Sequence, residues 1–568
     1  MSRRACLAVA SLALVLGGAC DPPADGPRFR AAGATTPRDG GTLRFSIIAG
    51  VSSLDPTLAS DELSYYVVHA LFDTLVDFGP PGPHAFELVP RLAERWSISS
   101  DGRTYHFWLR PGAVYADGAP ITAAHVKYSL ERAMVTPGSL FGQYLADIVG
   151  ARAILDQAAR DAADQKPAPV EVPSCPGIVA RDDHELTIEL TQDNPAFLAI
   201  LAMPFATPQR ADHVRAAGDQ LRRQPDASGP FVLARWDEGN IMVLTRNPRY
   251  YDPHRAHLDA LELHENVARD SAFLLFERGE LDTAEKLAAP DLIYVMREPA
   301  WQPSIHRLAG LNVFGSRMNV TQGAFRNRRV RQALNYALDK THTARLLHGT
   351  SEPAHGVLPP GMLGRDPALM PYPHDVGRAR SLLAEAGYSD DHPLRVDYVF
   401  PDDDETAMVA GSLQSDLAAA GVRVTLVPMA FETWQAAVGQ RNGPAFSYTG
   451  WTADFADPMA FFEPCFHSRS ITEQNANNNA FYANPALDEV LDAAHVERDP
   501  AARDALYRRA ERIVYDDAPW IWDYHRVIIE VSQPYVRGYD LHPIWVRDFT
   551  SAWLDLGPDG RPLRAEGR

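Results

Sequence analysis

The stretch LRVDYVFPDDDETAMVAGSLQSDLAAAGVRVTL, residues 394–426, determines the fold class of this chain. Apolar and polar residues alternate over 394–398 and again over 422–426, which is the pattern of half-buried strands. Between them, apolar residues recur at the spacing of one helix face, at Val409, Leu413 and Leu417. A strand, a helix and a second strand in this order predict a βαβ unit with parallel strands joined by a right-handed crossover.

The rest of the chain mixes the same two periodicities. Strand-like alternation recurs at 43–47, 105–109 and 186–190. Thr122 stands where a helix N-cap belongs, and the last long helix is predicted to begin with Asp499 as its cap and Pro500 in its first turn. The chain is therefore predicted to be an α/β protein.

Length and charge narrow the class of protein. With 568 residues and 46% hydrophobic residues, the chain is long enough for about two to four globular domains. Its formal net charge is −19, and a strongly acidic protein is a poor match for the phosphate backbone of nucleic acids. We therefore expect no nucleic-acid partner.

The N-terminus has the features of an export signal. Arg3 and Arg4 precede an apolar run over 6–16, and small residues at 17–19 lead to Cys20. This run is too short to span a bilayer permanently. Residues 1–20 resemble a bacterial lipoprotein signal peptide, in which Cys20 is lipidated and becomes the mature N-terminus; ordinary secretion is the alternative.

A flexible tether is predicted after Cys20. Residues 21–40 are rich in Pro, Gly and Ala and show no hydrophobic periodicity. As a random coil, such a segment reaches roughly 25 Å. Two further cysteines, Cys175 and Cys465, follow in the folded part of the chain. An exported protein can hold a disulfide, but the sequence leaves open whether these two pair or remain buried thiols.

Ten separated stretches, in this order along the chain, resemble the extracytoplasmic solute-binding proteins of ABC importers, specifically the family 5 type that includes dipeptide- and oligopeptide-binding proteins. They are LDP at 54–56, LAERW at 92–96 with DG at 101–102, YHFWLR at 105–110, DG at 117–118 with TA at 122–123, SGPF at 228–231, RNP at 246–248, GELD at 279–282, MN at 318–319, VRQAL at 330–334 and GWTADFADP at 450–458. The resemblance covers nearly the whole mature chain. Ala124 and His125 depart from it, because the family often carries acidic residues there.

The resemblance implies a two-lobed periplasmic-binding-protein fold, type II, of the large three-domain variety with discontinuous domains. Domain I of lobe 1 is expected over 41–75, 221–312 and 526–568. An extra domain II is expected over 76–220, and domain III, which forms lobe 2, over 313–525. The expected partners are a short peptide or another small solute and the transmembrane subunits of an ABC permease. The protein is expected to be a monomer in the periplasm or at the cell surface.

The loop Gly450 to Pro458 is the candidate ligand site. Trp451 is followed three residues later by Asp454, so an aromatic surface and a negative charge are available to a cationic ligand. In peptide-binding relatives, the carboxylate of this Trp-x-x-Asp loop receives the α-amino group of the ligand, which implies that role for Asp454.

Other residues of the loop have separate predicted roles. Backbone groups of Gly450, Thr452 and Ala453 are expected to pair with an extended ligand as an added strand. Trp451 is predicted to form a wall of the pocket, although a core tryptophan would have the same sequence. Asp457, directly before Pro458, is interpreted as part of the turn.

The sequence does not select a residue for the ligand's carboxylate. Arg317 and Arg441 are conceivable, but an ordinary surface ion pair is the favoured interpretation of each. No cofactor and no metal site is predicted, because the nineteen histidines do not cluster at the spacing of metal ligands.

No enzyme motif was found either: the chain lacks His-Glu-x-x-His, Gly-x-Ser-x-Gly and a phosphate-binding Gly-rich Lys loop. The resemblance implies peptide capture for an ABC importer, and no catalysis is expected. Alternatives inside the family are a nickel chelate, haem, an oligosaccharide or an opine-like ligand. Alternatives from other classes are a hydrolase with paired carboxylates and a sensory receptor.

Overall fold

The computed structural model of the protein describes residues 26–166, 169 and 171–565. The predicted signal peptide and the predicted lipidation site Cys20 lie outside these residues. None of the helices in the described ranges combines the length and the apolar character that crossing a bilayer requires.

The strands are distributed over the whole described chain. In chain order they are β1 Phe29–Arg30, β2 Thr42–Ser46, β3 Val76–Phe78, β4 Leu88–Pro90, β5 Ala93–Ile98, β6 Thr104–Leu109, β7 Ile178–Ala180, β8 Glu185–Glu189, β9 Phe231–Asp237, β10 Ile241–Arg246, β11 Ala260–His264, β12 Thr283–Glu285, β13 Ile305–Ala309, β14 Asn312–Met318, β15 Ser351–Pro353, β16 Arg395–Pro401, β17 Arg423–Met429, β18 Phe446–Thr452, β19 Trp520–Ser532, β20 Val536–Arg537, β21 Leu541–His542, β22 Val546–Arg547, β23 Trp553–Leu554 and β24 Leu563–Arg564.

The α-helices alternate with these strands most regularly in the second half of the chain. In chain order they are α1 Glu62–Leu71, α2 Ala123–Val135, α3 Ala151–Ala163, α4 Phe197–Leu201, α5 Ala211–Ala217, α6 Arg269–Arg278, α7 Ala289–Arg297, α8 Arg328–Ala337, α9 Lys340–Leu346, α10 Val376–Glu385, α11 Asp404–Ala419, α12 Phe431–Val438, α13 Met459–Phe466, α14 Pro485–Val496 and α15 Pro500–Asp517.

The βαβ unit predicted from residues 394–426 is confirmed. Strands β16 and β17 pair in parallel from Arg395 opposite Arg423 to Pro401 opposite Met429, and α11 connects them. Asp403 caps α11, because its side chain accepts a hydrogen bond from the backbone N–H of Thr406 (2.9 Å).

Lobe 2 is built on a sheet that contains this unit. The strand order is β12-β19-β14-β18-β16-β17, and β13 and β15 also pair with β19. Helices cover both faces: the core on one face draws on α8, α10 and α11, and the core on the other face draws on α13, α14 and α15. The central strands are therefore buried from both sides, as expected for an α/β sheet with helices on its two faces.

Lobe 1 has its own sheet and core. The order β2-β11-β10-β9 contains one parallel pair, β2 with β11, and two antiparallel pairs. Helix α1 contributes Tyr66, Val67, Val68 and Leu71 to this core. Asp61 caps the helix by accepting a hydrogen bond from the N–H of Ser64 (2.9 Å).

The extra domain forms a third core around the sheet β5-β6-β8-β7. Its helix α2 begins at the predicted cap Thr122, and His125 completes a capping box, since its Nδ1 accepts a hydrogen bond from the N–H of Thr122 (3.2 Å). Histidine therefore takes the place of the acidic residue that the resemblance led us to expect, and it does so without a negative charge.

The lobes share continuous strands. Strand β19 pairs with β14 and β15 in its first half and with β12 and β13 in its second half. The domain boundaries predicted at 312/313 and 525/526 therefore fall in β14 and β19. A strand that runs from one lobe into the other keeps its hydrophobic pattern throughout, so the sequence gives no signal of where one lobe ends.

The predicted tether is wrong from Gly26 onward. Strand β1 pairs with β24 near the C-terminus, and the N–H groups of Gly33 and Ala34 donate to Asp555 Oδ2 (2.7 and 3.0 Å). The local composition indicated a free coil. It could not reveal the pairing, because the partners are more than 500 positions apart in the sequence. Any tether can comprise only residues before Gly26, which lie outside the described ranges.

The two cysteines of the folded part are not paired. Cys175 and Cys465 are both buried and free. They belong to different cores, that of the extra domain and that of lobe 2. The open question from the sequence is therefore answered in favour of two separate thiols.

Candidate functional site

The predicted ligand loop begins on β18, whose close packing against β14 requires a glycine. Gly450 lies opposite Phe314 in the antiparallel pair. A Cβ atom added to Gly450 would come within 2.2 Å of Phe314 Cδ1, a distance that real Cβ contacts do not show. Gly450 is thus needed because the aromatic ring lies directly over its backbone.

One edge of β18 is open where the loop begins. In the described residues, the register between β18 and β16 is limited to Ser447 opposite Val399. Ala453 donates its N–H to Leu311 O (2.8 Å) on the β14 side, and backbone groups of alternate residues point to opposite edges of a strand. The N–H and C=O groups of Gly450 and Thr452 therefore face the open edge, where an extended chain can pair with them.

Asp454 lies just beyond this open edge and is contacted from the extra domain. The hydroxyl of Tyr144 donates to Asp454 Oδ2 (2.5 Å). The ring of Tyr144 packs edge-on against Phe455, with centroids 5.1 Å apart. Tyr65 of α1 is a further neighbour, because the charges of Asp454 and Asp61 add to the effect of burial in raising its pKa. Side chains from both lobes and from the extra domain thus meet around one carboxylate.

Asp454 lacks a cationic partner among the described residues. No Lys, Arg or His of the described ranges comes within the 4.0 Å that defines an ion pair with its carboxylate. Burial raises the pKa of Asp454 to about 6, against the opposing effect of the Tyr144 hydrogen bond. A half-buried carboxylate in this state is stabilised by a cation that arrives from outside.

Asp457, unlike Asp454, has a cationic partner. It is buried, and both of its oxygens accept from Arg503 of α15 (2.6 and 2.8 Å). Its Oδ1 also accepts from the N–H of Met459 (2.9 Å), the first residue of α13. The turn interaction predicted for Asp457 is present, but its main interaction is a buried ion pair that joins the loop to α15.

Some of the remaining loop residues bond within the protein, and others leave backbone groups available to a ligand. The indole N–H of Trp451 donates to Ala460 O (2.6 Å) and its ring packs on the lobe 2 core, although part of the side chain stays exposed. The N–H of Ala453 is already bonded to β14. This corrects the expectation that the Ala453 amide is available to a ligand, and it leaves Gly450 and Thr452 as the open backbone positions.

The two arginines considered for a ligand carboxylate differ in their surroundings. Arg317 is fully buried in β14, and burial alone lowers its pKa to about 9. Arg441 forms an ion pair with Glu473 (2.8 Å) and stacks over Phe481. The three guanidinium nitrogens of Arg317 have no hydrogen-bond partner among the described residues. A role of Arg317 or Arg441 toward a ligand carboxylate stays a prediction.

Two residues of the site were missed in the sequence. Tyr144 precedes Asp454 by 310 residues, and Tyr65 lies on an ordinary amphipathic helix. Neither is part of a motif with chemical content, so no local signal distinguishes them from core tyrosines. Only the approach of the extra domain and of α1 to the loop identifies them.

The family of the chain follows from comparison with known proteins. The family model for bacterial extracellular solute-binding proteins, family 5, matches residues 87–473. The chain belongs to this family. The fold and the resemblance predicted from the sequence are thereby confirmed.

Individual members of the family extend the match to nearly the full length. Di/tripeptide-binding protein 2 of Pseudomonas aeruginosa is 27% identical over 90% of this chain and 95% of its own. The probable deoxycholate-binding periplasmic protein YgiS of Escherichia coli is 29% identical over 88% of this chain and 91% of its own. The solved structure of the Helicobacter pylori periplasmic binding protein DppA with the peptide STSA aligns with a TM-score of 0.75 at 25% identity, covering 91% of this chain and 99% of that one.

Proposed function

We propose that this family 5 solute-binding protein captures short peptides by their free amino end at Asp454 and delivers them to an ABC permease. The observation that carries the proposal is the carboxylate of Asp454, which is half-buried, has a raised pKa and has no described cationic partner. An α-ammonium group supplies the missing charge. A buried ion pair of this kind gives the ligand's end a fixed position.

The open edge of β18 supports an extended peptide over other solutes. With the ammonium at Asp454, the first residues of a peptide run beside Thr452 and Gly450, whose N–H and C=O groups face the open edge. Backbone pairing of this type accepts many side chains. A peptide-binding relative and a structure with a bound tetrapeptide, both described above, agree with this ligand class.

The remaining parts of the proposal concern location and mode of action. The protein acts outside the cytoplasm as a monomer and is held to a membrane by a lipid on Cys20, as residues 1–20 indicate. It binds and releases its ligand unchanged. Ligand binding favours the arrangement in which Tyr144 and Tyr65 of one side close on the loop of the other.

Isothermal titration calorimetry with trialanine and N-acetyl-trialanine tests the proposal. Wild-type protein, unfolded and refolded to remove any retained ligand, is expected to bind trialanine and to bind the acetylated peptide at least roughly thirtyfold more weakly, since loss of one partner of such a charge pair costs about 2 kcal/mol or more. Asp454→Asn is expected to bind both peptides equally weakly. Asp391→Asn removes an exposed carboxylate of the same lobe and is expected to behave as wild type.

Two results contradict the proposal. If wild type binds the free and the acetylated peptide with equal affinity, Asp454 does not recognise the amino group. Release of alanine from trialanine by the purified protein means that it is a hydrolase. Native mass spectrometry of protein purified without unfolding then gives the mass of the ligand that it carries from the cell.

A further inference from the structure

A cationic side chain that was not considered in the sequence lies beside the open edge of β18. Arg526 is in β19, and its N–H donates to Asn312 Oδ1 (2.7 Å). Asn312 lies opposite Thr452 in the pair of β14 with β18. Arg526 is therefore at the level of Thr452 and two strands away, or roughly 10 Å.

Arg526 also faces the same side of the sheet as the ligand positions of β18. Tyr524 lies opposite Phe314, and Phe314 lies opposite Gly450. Side chains alternate along a strand, so Arg526, Phe314 and Thr452 project from one face. The guanidinium of Arg526 lies 4.9 Å from the centroid of the Phe314 ring.

The ring of Phe314 lies between the guanidinium of Arg526 and the backbone of Gly450. The same ring comes within 2.2 Å of where a Cβ of Gly450 would stand. The guanidinium is therefore on the order of 8 Å from the backbone of Gly450, which is about the length of two residues of extended chain. A ligand paired with the open edge of β18 can span that distance with a side chain or with its C-terminal end.

Among the described residues, Arg526 has one carboxylate partner, and the pair is partly exposed to solvent. Arg526 forms an ion pair with Glu405 in the first turn of α11, and the two side chains are 41% and 30% exposed. Burial alone would lower the pKa of Arg526, but Glu405 raises it above its ordinary value. A pair with this much solvent access is worth less than a fully buried one, so Glu405 can be exchanged for another carboxylate at small cost.

Lys286, another partly exposed cation of the described residues, is less well placed. Lys286 pairs with Glu62 of α1 at 3.6 Å. It directly follows β12, whose Glu285 lies opposite Glu530, four residues beyond Arg526 along β19. This position is displaced by roughly 13 Å along the strand direction from the level of Arg526 and Thr452.

We propose that Arg526 receives a carboxylate of the bound peptide in exchange for Glu405, so that the site selects peptides bearing both a free amine and a carboxylate. The inference rests on the proposed function, because it takes the amino end to be at Asp454. The carboxylate comes either from the C-terminus or from an acidic side chain, and both present the same group to the guanidinium.

Two matched pairs of probes separate these sources. Trialanine is compared with trialanine amide, and Ala-Glu-Ala amide is compared with Ala-Gln-Ala amide, by calorimetry at pH 7.5. Wild-type protein is expected to prefer the carboxylate-bearing member of at least one pair by about tenfold or more, in line with a charge-assisted hydrogen bond. Arg526→Gln is expected to bind the two members equally.

Two further variants keep the test independent of folding defects. Glu405→Gln removes the internal competitor, so it is expected to strengthen binding of the preferred probe severalfold, which a purely structural role would not do. Arg307→Gln changes an exposed arginine on the neighbouring strand β13. Arg307 lies opposite Ile529 and so projects from the other face, and this variant is expected to keep the wild-type preference.

The inference is overturned if wild type shows no preference in either pair, or if Arg526→Gln retains it. A preference that disappears in Lys286→Gln but not in Arg526→Gln assigns the carboxylate to Lys286 instead. Failure of the proposed function is distinguishable, because it abolishes the preference for trialanine over N-acetyl-trialanine in wild type.

Discussion

Asp454 and Asp457 are three residues apart in one loop, and replacing each by Asn is expected to have opposite consequences. In Asp457→Asn, Arg503 keeps its charge in a buried site but loses the opposing negative charge and at least one of its two hydrogen bonds, because an Asn side chain has a single acceptor oxygen. Breaking a buried pair in this way costs about 3–5 kcal/mol. For a body of the size of lobe 2, roughly 2–4 °C is lost per kcal/mol, so the unfolding temperature is expected to fall by roughly 6–20 °C.

Asp454→Asn is expected to leave the unfolding temperature of the ligand-free protein unchanged or to raise it. Its carboxylate is disfavoured by burial at neutral pH, as its raised pKa shows, and an amide still accepts the hydrogen bond from Tyr144. Differential scanning calorimetry of both variants at pH 7.5, after removal of ligand, measures the difference. The reasoning is refuted if the two variants lose the same stability, or if Asp457→Asn melts as wild type does.

Three further predictions concern pH and packing. Because the pKa of Asp454 is about 6 in the free protein and the ligand ammonium requires the ionised form, the affinity for trialanine is expected to fall toward tenfold per pH unit below pH 6; titrations from pH 4.5 to 7.5 check this, and a flat profile contradicts it. His495 of α14 is bonded to Asp147 of the extra domain (2.8 Å) and to Glu463 (3.4 Å); burial opposes the charge, but these bonds raise the pKa of His495 to about 9. The stabilising contribution of protonated His495 is therefore complete below about pH 6.5 and lost as the pH rises toward 9. Unfolding temperatures measured from pH 6 to 9.5 are expected to fall for this reason in wild type, and His495→Gln is expected to lack this fall. Gly450→Ala is expected to destabilise the protein by about 1–3 kcal/mol in denaturant unfolding, because the added methyl group clashes with Phe314. Adding Phe314→Leu to this variant is expected to restore part of the lost stability. If Gly450→Ala alone is as stable as wild type, the Phe314 ring moves freely and the reasoning is wrong.

Much of the architecture was accessible from the sequence because it rests on local periodicity. The βαβ unit of β16, α11 and β17 is encoded by alternating and helical spacing within about thirty residues. The helix starts predicted at Thr122 and Asp499 likewise depend on bonds within the first turn, which His125 makes in α2 and Asp499 makes in α15. The tether failed as a prediction because its pairing partners lie at the other end of the chain.

The sequence by itself also indicated a candidate ligand loop, since Gly450, Trp451 and Asp454 stand in one short stretch. The resemblance implied a ligand role for Asp454 and a turn for Asp457, but the ion pairing of the two carboxylates could not be read from the sequence. Asp457 is paired because α15 brings Arg503 to it from 46 residues away, and Asp454 is unpaired because no described cation is brought to it. Likewise, only the order of the strands reveals that Arg526 and Thr452 share a face and a level. Spacing along the chain determines secondary structure, but charge pairing depends on distances between atoms, and those distances exist only once the lobes have packed.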